Sequence, residues 1–242
     1  MEPILALAKK HNLFVIEDTA QAIGADYTFS DGTKKKAGTM GNIGTTSFFP
    51  SKNLGCYGDG GALYTNDDEL AKKCRMIVNH GQSKQYFYEM LGVNSRLDSI
   101  QAAILKVKLK HLNEYAAARN KAATYYDSAF APLSLGIGAG GEVKTPVRAK
   151  NSTHVFHQYT LKLNGLDRDK LKEHLASKDI PCMVYYPVPL HSQKAYLNPI
   201  NEGKKYPVTN HLCASVISLP MHTEMDEDTL KYISDSVLDF CK

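Results

Sequence analysis

The sequence lacks the features that mark several large classes of protein. Its five cysteines include no Cys-x-x-Cys pair, so neither a disulfide framework nor a zinc knuckle is indicated. No apolar run approaches membrane-spanning length, and residues 1–3 lead into a predicted helix rather than a signal peptide. Arginines are not clustered among aromatic residues, and the net charge of +4 is mild. We therefore expect no nucleic-acid or membrane partner, and a cytoplasmic location.

A glycine-rich stretch at residues 47–59 presents a single lysine, Lys52. The apolar pair Phe48 and Phe49 precedes it, which predicts a strand that delivers the lysine into a turn. A confined, partly dry turn removes solvation from the ammonium group, lowers its pKa and makes the neutral amine available for Schiff-base chemistry. Taken alone, Lys52 would be interpreted as an ordinary loop lysine, and its neighbours are what favour the reactive interpretation.

An apolar run at residues 13–16 predicts a strand buried on both faces, as in a parallel sheet beneath helices. Glu17 and Asp18 follow at its carboxyl end, which is where open α/β sheets bind ligands. Because neighbouring strand residues face opposite sides, we expect these two acids to have different roles.

The remaining patterns predict an α/β domain at residues 1–115 and a small α+β domain at residues 116–242. The Asp31-Gly32 pair predicts a hairpin, and Asn66 with the acids at residues 67–69 predicts the start of a helix ending near Val78. A long helix is expected over residues 97–128 and a glycine-rich surface turn at residues 136–141. Beyond it we expect strands at residues 156–163 and 183–186, a helix at 169–177 and a closing helix after Asp226.

Two histidines, His154 and His157, lie three residues apart near the predicted strand at residues 156–163. Side chains at that spacing on a strand face opposite sides. No metal site is therefore expected there.

Four segments in order, residues 14–21, 47–52, 58–62 and 92–103, resemble the DegT/DnrJ/EryC1/StrS family of pyridoxal-phosphate (PLP) sugar aminotransferases. The resemblance runs from about residue 3 to the last predicted helix. It implies the fold-type I architecture, a large domain with a mostly parallel sheet between helices and a small α+β domain. Family members carry further strands and a Gly-Thr or Gly-Ser phosphate turn upstream of the matching position. We therefore expect this sequence to be an N-terminally truncated form.

The resemblance implies roles for five residues at the cofactor. Lys52 would form the Schiff base with PLP, and Asp18 would pair with the pyridine nitrogen, leaving Glu17 a structural role. Gln21 would lie against the ring, although a helix-capping amide is the alternative. Ser47 would bind the phosphate, and Asn94 would reach the phosphate of a neighbouring subunit, so that a homodimer shares its active sites.

Three further residues are implied at the substrate. Arg96 would clamp a carboxylate, although a pair with Asp98 or with an acid at a helix N-terminus is the alternative. Tyr186 and His191, in the segment Tyr185-Tyr186-Pro187-Val188-Pro189-Leu190-His191, would border the sugar.

The implied reaction transfers an amino group from glutamate to a nucleotide-linked keto sugar for surface polysaccharide (lipopolysaccharide) biosynthesis. The motifs are most similar to enzymes that aminate C3 of a UDP-linked 2-acetamido-3-keto-hexuronic acid. Alternatives are another NDP-4-keto- or dTDP-3-keto-sugar aminotransferase and a non-catalytic scaffold with the same fold. A related dehydratase carries histidine in place of the Schiff-base lysine, so Lys52 argues against that activity.

Overall fold

The computed structural model describes residues 1–134, 141–198 and 205–242. Contacts within the chain divide it into two compact units. Unit 1 consists of Met1–Ala117 together with Arg148–His157, and unit 2 consists of Ala118–Val147 and Gln158–Lys242. Nothing in the sequence indicated that Arg148–His157 packs with the N-terminal part of the chain.

Unit 1 alternates helices with short strands. In chain order the elements are α1 (Glu2–His11), β1 (Ile16–Asp18), β2 (Asp26–Thr28), β3 (Lys34–Lys36), β4 (Ile43–Ser47), β5 (Gly61–Tyr64), α2 (Asp68–Val78), β6 (Gln82–Lys84), β7 (Phe87–Tyr88) and α3 (Ser99–Lys108). A 3₁₀ turn at Leu109–His111 leads into α4 (Leu112–Ser134), which begins in unit 1 and continues into unit 2. The single helix predicted over residues 97–128 is thus two helices separated by that turn.

The sheet of unit 1 has the strand order β1-β4-β5. Strand β1 pairs with β4 in parallel, and β4 pairs with β5 in antiparallel orientation. The predicted strand at residues 13–16 is wrong in position and in burial, because β1 begins at Ile16 and the side chains of Leu13, Phe14 and Ile16 are all exposed, Phe14 at 80%. Within the described ranges β1 is paired along one edge only, so the burial expected from a central strand does not arise.

Local sequence signals produce the expected local structures in two places. Strands β2 and β3 form the antiparallel hairpin predicted around Asp31-Gly32, and the three lysines of β3 are exposed. Helix α2 begins after Asp67, whose carboxylate accepts hydrogen bonds from the backbone N–H groups of Glu69 and Leu70 at 2.9 and 3.0 Å.

A small apolar core lies directly beneath the Lys52 turn. Phe48, Leu54, Cys56 and Leu105 are buried against one another, with Ile23, Ala62 and Leu112 packed around them. Helix α3 therefore supports the turn from below, and the Lys108 ammonium donates a hydrogen bond to the Gly55 carbonyl.

Unit 2 is an antiparallel sheet covered by helices. Its elements are β8 (Glu142–Lys144), β9 (Tyr159–Asn164), α5 (Arg168–Ala176), α6 (Pro207–Ser215), β10 (Val216–Leu219) and α7 (Glu227–Phe240), with short 3₁₀ helices at Leu190–Ser192 and Lys194–Tyr196. The strand order is β10-β9-β8. Alternate residues of β9 (Tyr159, Leu161 and Leu163) are buried with Leu171, Leu175, Ile217, Leu230 and Val237. This core matches the α+β architecture expected for the C-terminal part.

Two further expectations concern unit 2. The strand predicted at residues 183–186 is wrong, because Met183 makes only an isolated bridge to Ser218. Of the glycine-rich turn at residues 136–141, positions 136–140 lie outside the described residues.

In the described part of the chain, none of the helices combines the length and apolar composition needed to cross a bilayer.

Candidate active site

The carboxyl ends of β1 and β4 meet at one edge of the sheet. In their parallel register Asp18 lies opposite Thr45, two residues before the end of β4 at Ser47. The pairing continues past β1, because the Thr19 N–H donates to the Thr45 carbonyl at 2.7 Å and the Thr46 hydroxyl donates to the Thr19 carbonyl at 3.1 Å. The residues at the ends of these strands are therefore held on the same edge, where α/β sheets place their ligands.

The two acids of β1 have separate environments. Glu17 is buried, and its carboxylate accepts hydrogen bonds from the N–H groups of Gly38 (2.8 Å), Met40 (2.6 Å) and Gly41 (2.6 Å). Asp18 is exposed, and one of its oxygens accepts from the Ala20 N–H at 2.9 Å. The environments of the two acids differ: Glu17 fixes the loop before β4, whereas Asp18 presents its second carboxylate oxygen without a hydrogen bond from any described residue. Their separate roles stay a prediction.

A tight turn carries Lys52. The Lys52 N–H donates to the Phe49 carbonyl at 2.8 Å, and the Cys56 N–H donates to the Phe48 carbonyl at 2.8 Å. A Cβ atom on Gly55 would lie 2.3 Å from the Pro50 carbonyl oxygen, closer than any real contact. Glycine is therefore required for the chain to fold back under the lysine.

The Lys52 side chain is half-buried. Among the described residues its ammonium group makes no hydrogen bond and no ion pair within 4.0 Å. An amine without a hydrogen bond or ion pair is available to react with a carbonyl compound.

Ser47 and Gln21 lie near the same strand ends. The half-buried Ser47 hydroxyl oxygen accepts from the Phe49 N–H at 3.2 Å, which leaves its own hydrogen available to an anion. Gln21 lies in the turn after β1 and is exposed. Since no helix begins there, Gln21 is not a helix cap.

Asn94 and Arg96 line a cleft of about 880 Å³ formed by β4, β5 and α2. The Arg96 Nε donates to the Asn94 side-chain oxygen at 3.0 Å, and no described carboxylate pairs with Arg96, so the alternative pairing with Asp98 is absent. This bond leaves the two terminal guanidinium nitrogens of Arg96 and the amide nitrogen of Asn94 as donors. Lys52, Asp18, Gln21 and Ser47 do not line this cleft.

The other two predicted substrate residues belong to unit 2. Tyr186 is exposed, and its ring lies 5.6 Å from that of Tyr185. His191 lies in the 3₁₀ helix Leu190–Ser192 with its ring 4.4 Å from the Tyr206 ring. Their contribution to the site stays a prediction.

One contact at the Lys52 turn was missed from the sequence. Asn53 is 6% exposed; its side-chain nitrogen donates to the Val155 carbonyl at 2.8 Å, and its oxygen lies 3.1 Å from Nδ1 of His157. The only available signal was an amide directly after the lysine in an otherwise apolar and glycine-rich stretch. The expectation that His154 and His157 lie on a strand is wrong, because β9 begins at Tyr159.

The polar groups of unit 1 match the chemistry of PLP. An amine (Lys52) suits its aldehyde, a carboxylate with an unengaged oxygen (Asp18) suits its ring nitrogen, and the hydroxyl of Ser47 suits its phosphate. In the three described ranges, no group of three or more His, Cys, Asp or Glu side chains has a geometry that could hold a metal ion.

The sequence matches the DegT/DnrJ/EryC1/StrS aminotransferase family over residues 1–238. It is 44% identical over 240 residues to a pleiotropic regulatory protein of Geobacillus stearothermophilus, covering 99% of this chain and 61% of that protein. It is 41% identical over 232 residues to the UDP-2-acetamido-2-deoxy-3-oxo-D-glucuronate aminotransferase of Pseudomonas aeruginosa, covering 96% of this chain and 60% of that protein.

Solved structures show the same fold. A DegT DnrJ EryC1 StrS aminotransferase from Brucella abortus matches with a TM-score of 0.86 and 37% identity, over 98% of this chain and 60% of that one. The chain thus spans about three fifths of the length of the relatives that it matches. On the sequence match and the shared fold, the chain belongs to the DegT/DnrJ/EryC1/StrS aminotransferase family.

Proposed function

We propose that this chain carries the catalytic lysine of a PLP-dependent aminotransferase that moves an amino group from glutamate to a nucleotide-linked keto sugar. The observation that carries the proposal is the position of Lys52, an unpaired, half-buried amine on a rigid turn that follows the strand paired in parallel with that of Asp18. Membership of a family of PLP-dependent aminotransferases supports the same assignment.

The residues at the sheet edge have complementary tasks in such a reaction. Bound PLP supplies an electron sink for the carbanion formed at the substrate carbon. The Asp18 carboxylate favours the protonated form of the ring nitrogen. The Ser47 hydroxyl donates to the phosphate and so restricts the ring to one position. The Lys52 amine would take a proton from the substrate carbon as general base and, as general acid, would return it when the amino group is transferred.

The preferred acceptor is C3 of a UDP-linked 2-acetamido-3-keto-hexuronic acid. The two terminal guanidinium nitrogens of Arg96 have no described partner, and a planar guanidinium binds a carboxylate in bidentate fashion. The similarity to the Pseudomonas aeruginosa enzyme, named for a 3-oxo-glucuronate sugar, supports this choice. Another NDP-4-keto or dTDP-3-keto sugar is the alternative within the same reaction.

Three further features complete the proposal. Asn94 acts at the phosphate of a partner subunit, so the working form is a homodimer with shared sites. Tyr186 and His191 border the sugar. The reaction takes place in the cytoplasm, where nucleotide sugars for surface polysaccharides would be supplied.

A borohydride trap tests the assignment of Lys52. The amine nitrogen bonds to the aldehyde carbon of PLP with loss of one water, and hydride then reduces the C=N bond to a stable secondary amine. We expect mass spectrometry of the digested protein to place the reduced pyridoxyl phosphate group on Lys52. Lys52→Ala should abolish the adduct, and Lys34→Ala, which removes an exposed hairpin lysine, should leave it unchanged.

The outcome also separates this function from its rival. The relative named as a pleiotropic regulatory protein favours a second candidate, a non-catalytic scaffold of the same fold. A scaffold would show no visible absorbance with PLP, or scattered adducts on surface lysines that Lys52→Ala does not change. That result would refute the aminotransferase proposal.

A further inference from the structure

The side chain of Asn53, next to Lys52, has a fixed orientation because both its nitrogen and its oxygen make hydrogen bonds. The Asn53 nitrogen donates to the Val155 carbonyl, which can only accept. The Asn53 oxygen must therefore be the acceptor in the contact with His157, so His157 carries a hydrogen on Nδ1. The two hydrogen bonds determine the orientation of the amide and the tautomer of the imidazole together.

These contacts join the lysine turn to Arg148–His157, a segment that is itself fixed in unit 1. The Thr28 N–H donates to the Asn151 carbonyl at 2.7 Å, and Asp26 and Thr153 exchange hydrogen bonds of 2.8 and 2.9 Å. The segment is thus attached to the β2 strand at one end and to Asn53 at the other. Asn53 is the side chain through which it reaches the turn.

The segment has an unusual backbone conformation at Phe156, beside this contact. Phe156, which lies between Val155 and His157, has a φ of +41°, in the left-handed region that bulky residues rarely adopt. Val155 and Phe156 are both buried, and the Phe156 N–H donates to Nδ1 of His154 at 2.9 Å. A conformation that is unfavourable for phenylalanine persists only where surrounding contacts enforce it, and such positions concentrate at functional sites.

We propose that Asn53 and His157 are positioning residues for Lys52, which hold its amine at the orientation needed to react with PLP. This inference rests on the proposed function. Neither residue touches the reacting atoms; they act by fixing the turn that carries the lysine. In the described ranges, Asn53 is the only side chain of residues 50–53 that hydrogen-bonds outside the turn, and it acts beside the Lys108 hydrogen bond to the Gly55 carbonyl.

The test compares two substitutions of His157 in the full chain. His157→Leu removes the donor to Asn53, whereas His157→Asn places an amide N–H close to the position of the Nδ1 donor. We expect His157→Leu to slow formation of the borohydride-trapped Lys52 adduct roughly tenfold, the equivalent of one lost hydrogen bond of about 1.4 kcal/mol, and His157→Asn to restore most of the rate.

Hydrogen exchange provides a readout without the cofactor. In His157→Leu the peptide covering residues 49–56 should exchange faster, while the peptide covering β5 should be unchanged. Equal adduct rates in the two variants, or faster exchange throughout unit 1, would overturn the positioning role. If the unsubstituted protein forms no Lys52 adduct, the proposed function fails, and exchange at residues 49–56 still decides whether His157 holds the turn.

Discussion

Replacing Glu17 tests its assignment as the residue that fixes the loop before β4. Glu17→Gln keeps one carbonyl oxygen, which can still accept from two of the three N–H groups, but sets an amide nitrogen against the third. A hydrogen bond to a charged group contributes about 1.5–3 kcal/mol, and a buried N–H without a partner loses a similar amount. We therefore expect the free energy of unfolding to fall by about 2–4 kcal/mol.

The adjacent residue is a matched control. Asp18→Asn changes a carboxylate one position away, but that carboxylate is exposed and its hydrogen bond from Ala20 survives in the amide. Its unfolding free energy should change by less than about 0.5 kcal/mol. Asp18→Asn should instead weaken the retention of PLP.

Urea unfolding followed by tyrosine fluorescence measures the difference between the two variants. Native-state hydrogen exchange locates it, because these amides should lose protection in Glu17→Gln alone, the Gly38 amide at least tenfold and the Met40 and Gly41 amides less, since their acceptor oxygen loses only its charge. Equal loss of stability in the two variants, or no change in exchange at these amides, would refute the division of roles.

Three further predictions follow from other residues. Arg96→Ala should raise KM for a nucleotide-linked uronic acid by about 10–100-fold and leave KM for a neutral sugar analogue unchanged. Arg75→Ala, in the same cleft, is the control and should change KM for the two sugars equally. Equal effects of Arg96→Ala on both sugars would exclude a carboxylate contact. Burial raises the pKa of the Cys182 and Cys241 thiols to about 11, so at pH 8 both should react with thiol reagents roughly 100-fold more slowly than an ordinary thiol. Because the folded state favours the protonated thiol, the stabilisation from this burial is present below pH 9 and is lost as the pH rises to about 11. The urea midpoints of the unsubstituted protein and of Cys182→Ser, compared at increasing pH, would measure this loss. Asp67→Ala should destabilise α2 by about 1 kcal/mol through loss of its cap, with Asp68→Ala as a control that keeps it; equal unfolding midpoints for the two would contradict the capping role.

What the sequence predicted well depends on neighbours in the chain. The cap at Asp67 and the hairpin at Asp31-Gly32 are set by residues within a few positions of each other, so local rules suffice. Lys52 and Asp18 were identified because their surrounding motifs resemble a known family. The strands that precede them, β1 and β4, pair in parallel, as the pattern of strands could indicate.

What it predicted badly depends on distant parts of the chain. The apolar residues 13–16 look like a buried strand, yet burial is decided by which elements cover them, and the composition of a short run contains no such information. The contact between Asn53 and His157 joins residues 104 positions apart. A single sequence offers no rule for pairing an amide with a histidine at that separation.

The return of Arg148–His157 to unit 1 restricts how such proteins can be recombined. The chain passes between the units three times, after residues 117, 147 and 157. A chimera joined once, at residue 117, would bring a foreign segment against the native Asn53 and β2 hairpin. Exchange of unit 2 between relatives should therefore succeed only when residues 148–157 are kept with the N-terminal part, which requires three junctions.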